Sequence, residues 1–220
     1  MIDLFMQYQD KIMVAMGETA LLMLISISFA IILGLPLGTI IYVTRKNGIS
    51  ENKLVSAISN LYVNIVRSFP FILFVFFMMP FTRALLGISL GTIPASVPMI
   101  FVAVAIFARF VEQALLEVPM GIIDTAISMG ASKYQLITKF LYVEARSGII
   151  HGLTSSTISL LSYSTVMGMV GGGGIGAFAM LYGYQNFQYD LMMIVIVIIV
   201  ILVQIIQFIG TKSATYLDKR

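Results

Sequence analysis

The chain has 220 residues, 59% of them hydrophobic and 10% charged, with a mean hydropathy of +1.00 and a net charge of +3. Soluble domains carry roughly a quarter charged residues, so this composition excludes an ordinary soluble fold and indicates a polytopic membrane protein. There is no cysteine, which excludes disulfides, thiolate metal sites and a thiol nucleophile. The small positive charge reads as basic residues that fix orientation, not as a nucleic-acid surface.

Residues 1–17 read as a short amphipathic lead-in lying at the membrane interface. They carry Asp3, Asp10 and Lys11 and lack a basic start and a small-residue cleavage site, a pattern unlike a signal peptide. Glu18 and Thr19 suit the positive end of a helix and are expected to open the first span, 19–43. That is about 25 residues and ~37 Å, enough to cross a ~30 Å core with tilt. Gly34 and Gly38 permit close helix contact and Pro36 between them should bend the helix, which makes this stretch a packing seam.

A turn at Arg45–Gly48 leads to a second expected span, 54–81. Its clean apolar part, 69–81, is too short to cross alone and contains Pro70 and Pro80, so the helix is expected to take in Asn60, Asn64, Arg67 and Ser68. Arg67 facing lipid at mid-bilayer would cost ~3 kcal/mol, so it should face protein, water or headgroups. Both a structural pairing and a place beside a translocation path fit it. A third span is expected at 94–110, ending on Arg109.

The interval 112–146 is too polar to cross a membrane. Pro119 suits a first helical turn, and Ile122, Ile123, Ala126 and Ile127 form one apolar stripe. Gly130 can take the left-handed conformation that ends a helix. Ser132 and Gln135, three apart, can then start the next helix as a capping box, with Leu136, Ile137, Phe140 and Leu141 as its stripe. Two short helices with a sharp bend follow. They fit either a linker resting on lipid headgroups or a docking knob for another protein.

The fourth span, 147–167, carries nine hydroxyls between Ser147 and Thr165 and belongs inside a bundle. His151, the lone histidine, reads as a packing residue, since no second His or intramembrane acid offers it a proton. Gly168–Gly176 holds six glycines; Gly171, Gly173 and Gly176 match a dinucleotide fingerprint, but no strand precedes them and no P-loop Lys follows. Residues 182–186 continue that loop, and the last span, 191–209, opens with thirteen unbroken apolar residues. The sum is an all-α bundle of five transmembrane helices with a cytoplasmic two-helix loop, in one domain covering 1–220. Ten basic residues, Lys219 and Arg220 among them, fall on the side of the knob and two, Lys11 and Arg83, on the other. That places the knob and C-terminus in the cytoplasm and the N-terminus outside.

Asp124-Thr125-Ala126, Gly130-Ala131 and Glu144-Ala145 resemble the cytoplasmic loop of permease subunits of binding-protein-dependent ABC importers. The acid is kept, while Tyr142-Val143 stands where those families usually have Leu-Pro. Gly17-Glu-Thr19, Gly34–Gly38, Arg67-Ser-Phe-Pro-Phe71, Met79–Arg83 and Tyr163–Gly168 with the glycines after it are similar, in order and spacing, to the methionine-uptake branch of that family. The resemblance implies an ATPase-coupling role for Asp124, Thr125, Ala126, Gly130, Ala131, Ser132 and Glu144. It also implies a homodimer, two cytoplasmic ATPase subunits that bind the ATP and Mg2+, an external substrate-binding lipoprotein and a bacterial cytoplasmic membrane. Methionine, L and D, and its close derivatives are the implied cargo, with another small amino acid as the alternative. No covalent chemistry and no cofactor of its own are implied for this chain. For the gate or path, Arg67, Tyr163, Ser164, Met167, Gly168, Gly172, Gly173 and Gly174 combine small size, hydroxyls and bendable backbone. An ion-coupled transporter would need acids at the centres of the spans, and the sequence has none there.

Overall fold

Inside a bilayer the backbone has no water to bond, so long apolar stretches become helices. The structure, a computed structural model, describes residues 2–218 and contains no strand among them; Lys219 and Arg220 lie outside the described residues. Helix α1 (Ile2–Phe29) continues through a π-helical turn (Ala30–Gly34) into α2 (Leu35–Thr44). Together they make one apolar rod, and its 41 residues from Leu4 to Thr44 extend ~61 Å. The expected boundary between lead-in and span is absent, because nothing before Gly17 breaks a helix. Glu18 and Thr19 therefore sit inside α1 rather than at its start. The π-helical turn directly precedes Pro36, whose ring and missing N–H cannot be fitted to a regular preceding turn.

The second span is two helices, α3 (Lys53–Ser68) and α4 (Phe71–Leu86), bent by 114°. Asn52 starts α3 by accepting hydrogen bonds from the Leu54 and Val55 N–H groups, each 3.1 Å. Pro70 ends it, since a residue before proline is pushed to extended backbone, and Phe69 has ψ 133°. The expected single helix through Arg67 and Phe81 is thus broken at Phe69–Pro70.

Helix α5 (Thr92–Leu116) is the central post and packs against α1, α2, α3, α4 and α8 (Tyr142–Met169). The seam at Gly34 and Gly38 is real. A side chain at Gly38 would collide with the Ala108 carbonyl and lie 2.7 Å from Val111 Cβ, and one at Gly34 would sit 3.2 Å from Phe107 and the Val104 carbonyl.

From Thr154 to Thr165 the serine and threonine hydroxyls of α8 that have a partner bond within the helix, whereas the Tyr142 hydroxyl reaches Thr39 Oγ1 of α2 at 2.7 Å. Thr154, Ser156 and Thr157 each donate at 2.8 Å to the carbonyl four residues back. His151 is exposed on α8, not packed. After a glycine turn come α9 (Gly174–Phe178), a π-helical segment (Ala179–Gln185) and α10 (Tyr189–Leu217). Residues 182–185, expected as loop, are helical. Among the described residues three helices are long and apolar enough to cross a membrane, or up to five spans if each of the two bent pairs counts as one.

Candidate functional site

The interval between α5 and α8 folds as a tight elbow. Pro119 stands immediately before α6 (Met120–Ser128) and α7 (Lys133–Gln135) follows the bend, running through a π-helical turn (Leu136–Leu141) into α8. Ile123, Ala126, Leu136 and Leu141 are buried in one cluster with Ala114 and Leu115 of α5, and Ile122, Ile137 and Phe140 pack against it. The apolar stripes therefore turn inward, away from any lipid surface; only Ile127 of the expected stripe is exposed. At the bend the Met129, Gly130 and Ala131 N–H groups donate to the carbonyls of Thr125, Ile127 and Ala126 at 2.9–3.0 Å. Gly130 has φ +75° with nothing near its Cα that a side chain would strike, so it answers to backbone conformation, not to room.

Ser132 and Gln135 form the capping box reciprocally. Ser132 Oγ accepts from the Gln135 N–H at 3.3 Å and Gln135 Oε1 from the Ser132 N–H at 2.9 Å. Lys133 Nζ donates to Ser50 Oγ at 3.1 Å and ties the elbow to the loop after α2. Asp124, Thr125, Gly130 and Ser132 are exposed at the tip, Ala131 is half-buried, and Ala126 is a core residue beneath them. Glu144 is half-buried at the base of α8, separate from the tip. Three apolar side chains crown the tip: Ile127 from the expected stripe, 58% exposed, and Met129 and Tyr134, which sequence reasoning passed over, 73% and 75% exposed.

A second feature lies where α3, α4, α5 and α8 meet. A cleft of ≈ 310 Å³ is lined by Arg67, Phe71, Arg109, Gln113, Ser159 and Tyr163, among others. Phe71 and Tyr163 stack with ring centroids 4.5 Å apart. Arg109 is ion-paired with Glu112 one turn on. Arg67 ends α3, where the helix dipole favours a cation. Of the candidate path residues, Arg67 and Tyr163 share this cleft. Arg109 and Gln113 were discoverable as polar residues within an otherwise apolar helix, whereas Phe71 carries no such signal.

The remaining candidates form a packed corner that does not line the cleft. Ser164 is buried and donates to the Leu161 carbonyl at 2.7 Å, and the Met167 carbonyl accepts from the Gly172 N–H at 2.8 Å. Gly168 lies so close to the backbone of Gly176 and Ala177 that a Cβ there would clash. Gly173 and Gly174 lie against Glu18 and Thr19, which close the N-terminus of α9. Among the described residues no group of three His, Asp or Glu side chains could hold a metal ion.

An all-helical membrane bundle with an ordered, exposed elbow and a polar cleft between its helices is built as a transport subunit. Residues 30–220 match the family described as binding-protein-dependent transport system inner membrane component, and the chain belongs to that family. It is 39% identical to the probable D-methionine transport system permease protein MetI of Pasteurella multocida, across 92% of this chain and 94% of that protein. It is 37% identical to the methionine import system permease protein MetP of Bacillus subtilis, across 82% of each. A solved inward-facing structure of the MetNI methionine ABC transporter superposes with a TM-score of 0.91 at 38% identity, covering 94% of this chain and 96% of that one.

Proposed function

We propose that the chain is the permease subunit of an ATP-driven ABC importer that carries methionine, in both enantiomers and close derivatives, into the cytoplasm. The observation that carries this reading is the end-to-end likeness to methionine permeases, in which 94% of the Pasteurella multocida protein is covered at 39% identity. Two copies pair about the path, two ATPase subunits bind ATP and Mg2+ at the cytoplasmic face, and an external lipoprotein delivers the cargo. The N-terminus lies outside and the C-terminus inside, in keeping with the basic residues around the elbow.

Force enters through the elbow. Its crown of Ile127, Met129 and Tyr134, rimmed by Asp124, Thr125 and Ser132, has the apolar centre and polar edge of a protein-docking surface. Because Ala126, Leu136 and Leu141 bind it to the foot of α5, motion of the tip is passed to the central post. The permease contributes two packings of one bundle, which the ATPases and the loaded lipoprotein favour differently.

Uptake of labelled L- and D-methionine by cells lacking and then regaining this gene tests the reading. Restored, ATP-dependent uptake is expected; uptake unaffected by the deletion and its repair overturns it.

A further inference from the structure

We infer that Arg67 is the carboxylate-recognition residue of the intramembrane cleft, and that the cleft holds a zwitterionic amino acid with its side chain against the Phe71–Tyr163 stack. This rests on the methionine-permease reading and adds the groups that hold the cargo between the two membrane faces.

The charge balance of the cleft points to an anion. Arg109 is neutralised by Glu112, whereas Arg67 makes no hydrogen bond or ion pair with any described residue. Arg67 lies fourteen residues beyond Lys53 in α3, about 21 Å along the helix from its cytoplasmic start. Its side chain is exposed in the single protomer, so the guanidinium is open to a ligand that enters the cleft. Its planar fork matches a carboxylate through two parallel hydrogen bonds, a geometry that a point charge lacks.

The other walls suit the rest of such a ligand. The Ser159 hydroxyl spends its hydrogen on the Ser155 carbonyl at 2.9 Å, which leaves its oxygen free to accept. Gln113 also lines the cleft and carries an amide oxygen, a neutral acceptor suited to an ammonium group. The Phe71–Tyr163 stack offers ring surface that a thioether sulfur favours. A cleft of ≈ 310 Å³ has room for one small amino acid.

The test uses the assembled permease–ATPase complex in nanodiscs without the binding protein, titrated with L-methionine and with L-methioninamide, which lacks the anionic carboxylate. The wild-type complex is expected to prefer methionine by about tenfold or more. R67Q should lose that preference and bind both compounds alike. R67K, which keeps the charge without the fork, should bind methionine several-fold more weakly and still prefer it to the amide. A purely helix-ending role for Arg67 would leave the ratio of the two affinities unchanged. Equal binding of both compounds by the wild type, an unaltered ratio in R67Q, or wild-type methionine affinity in R67K overturns the inference. So does a wild-type complex that binds no methionine while the complete system, with binding protein and ATP, still imports it; that outcome spares the permease reading. Failure of the complete wild-type system to import methionine sinks the permease reading itself.

Discussion

Glu18 Oε2 accepts a 2.6 Å hydrogen bond from the backbone N–H of Gly174, 156 residues away, and the neighbouring Thr19 Oγ1 accepts from the Ile175 N–H at 2.9 Å. A helix as short as α9 leaves most of its N–H groups without internal partners, and α1 supplies the acceptors. Glu18→Ala and Thr19→Val should each lower stability by about 1–2 kcal/mol, the usual cost of a lost cap. Glu18→Gln, which keeps an acceptor oxygen, should lose less. Thermal unfolding of the detergent-solubilised protein reads the order.

The α2–α5 seam makes a graded prediction. Gly38→Ala drives a methyl group into the backbone of α5, whereas Gly34→Ala meets the Phe107 ring and the Val104 carbonyl at 3.2 Å, a tight contact and not a collision. Gly38→Ala is expected to destabilise by about 1–3 kcal/mol, as overpacking does, and Gly34→Ala by less. Equal melting temperatures for the two variants would show that the seam is not tight.

At the elbow, a substitution of Gly130 tests conformation apart from packing. Gly130→Val should strain the bend at φ +75° by about 1–2 kcal/mol, leave the membrane helices folded and reduce methionine uptake. Gly130→Asn should be tolerated, because asparagine enters the left-handed region with little penalty. Uptake by the two variants, measured at matched membrane levels, checks the contrast.

Tyr134 and Met129 should be the strong points of the ATPase contact. Truncating either to Ala removes a well-exposed apolar anchor and should weaken capture of the ATPase subunit by about 1–2 kcal/mol, roughly 5- to 30-fold. Asp124→Asn, at the polar rim, should matter less and chiefly through association rate. Pull-down of the ATPase at graded concentrations distinguishes the three.

What the sequence disclosed was local. The Ser132–Gln135 box, the left-handed Gly130 and the Gly34–Gly38 seam each depend on residues within one or two turns, so spacing alone revealed them. Glu18 and Thr19 showed the right chemistry at the wrong address, since nothing in their neighbourhood names a helix 156 residues on. The break at Phe69–Pro70 was hidden by length arithmetic, which joined two short helices to reach across a membrane. Residues 182–185 were misjudged because glycine and tyrosine look like a loop, while packing against α10 holds them helical. In the cleft, Arg67 and Tyr163 stood out by polarity within apolar surroundings. Their convergence with Gln113 and Ser159 depends on how three helices cross, which no single stretch encodes.

The kink before Phe71 has a consequence for how the chain enters the bilayer. At 16 residues and ~24 Å apiece, α3 and α4 are each too short to be threaded through as a stop-transfer segment. They can therefore cross only together, as the bent pair that makes one broken span, with the Pro70 carbonyl at their joint accepting from the Leu73 and Phe74 N–H groups. Pro70→Ala removes the residue that holds Phe69 extended, and would let α3 and α4 join into one rod longer than a bilayer is thick.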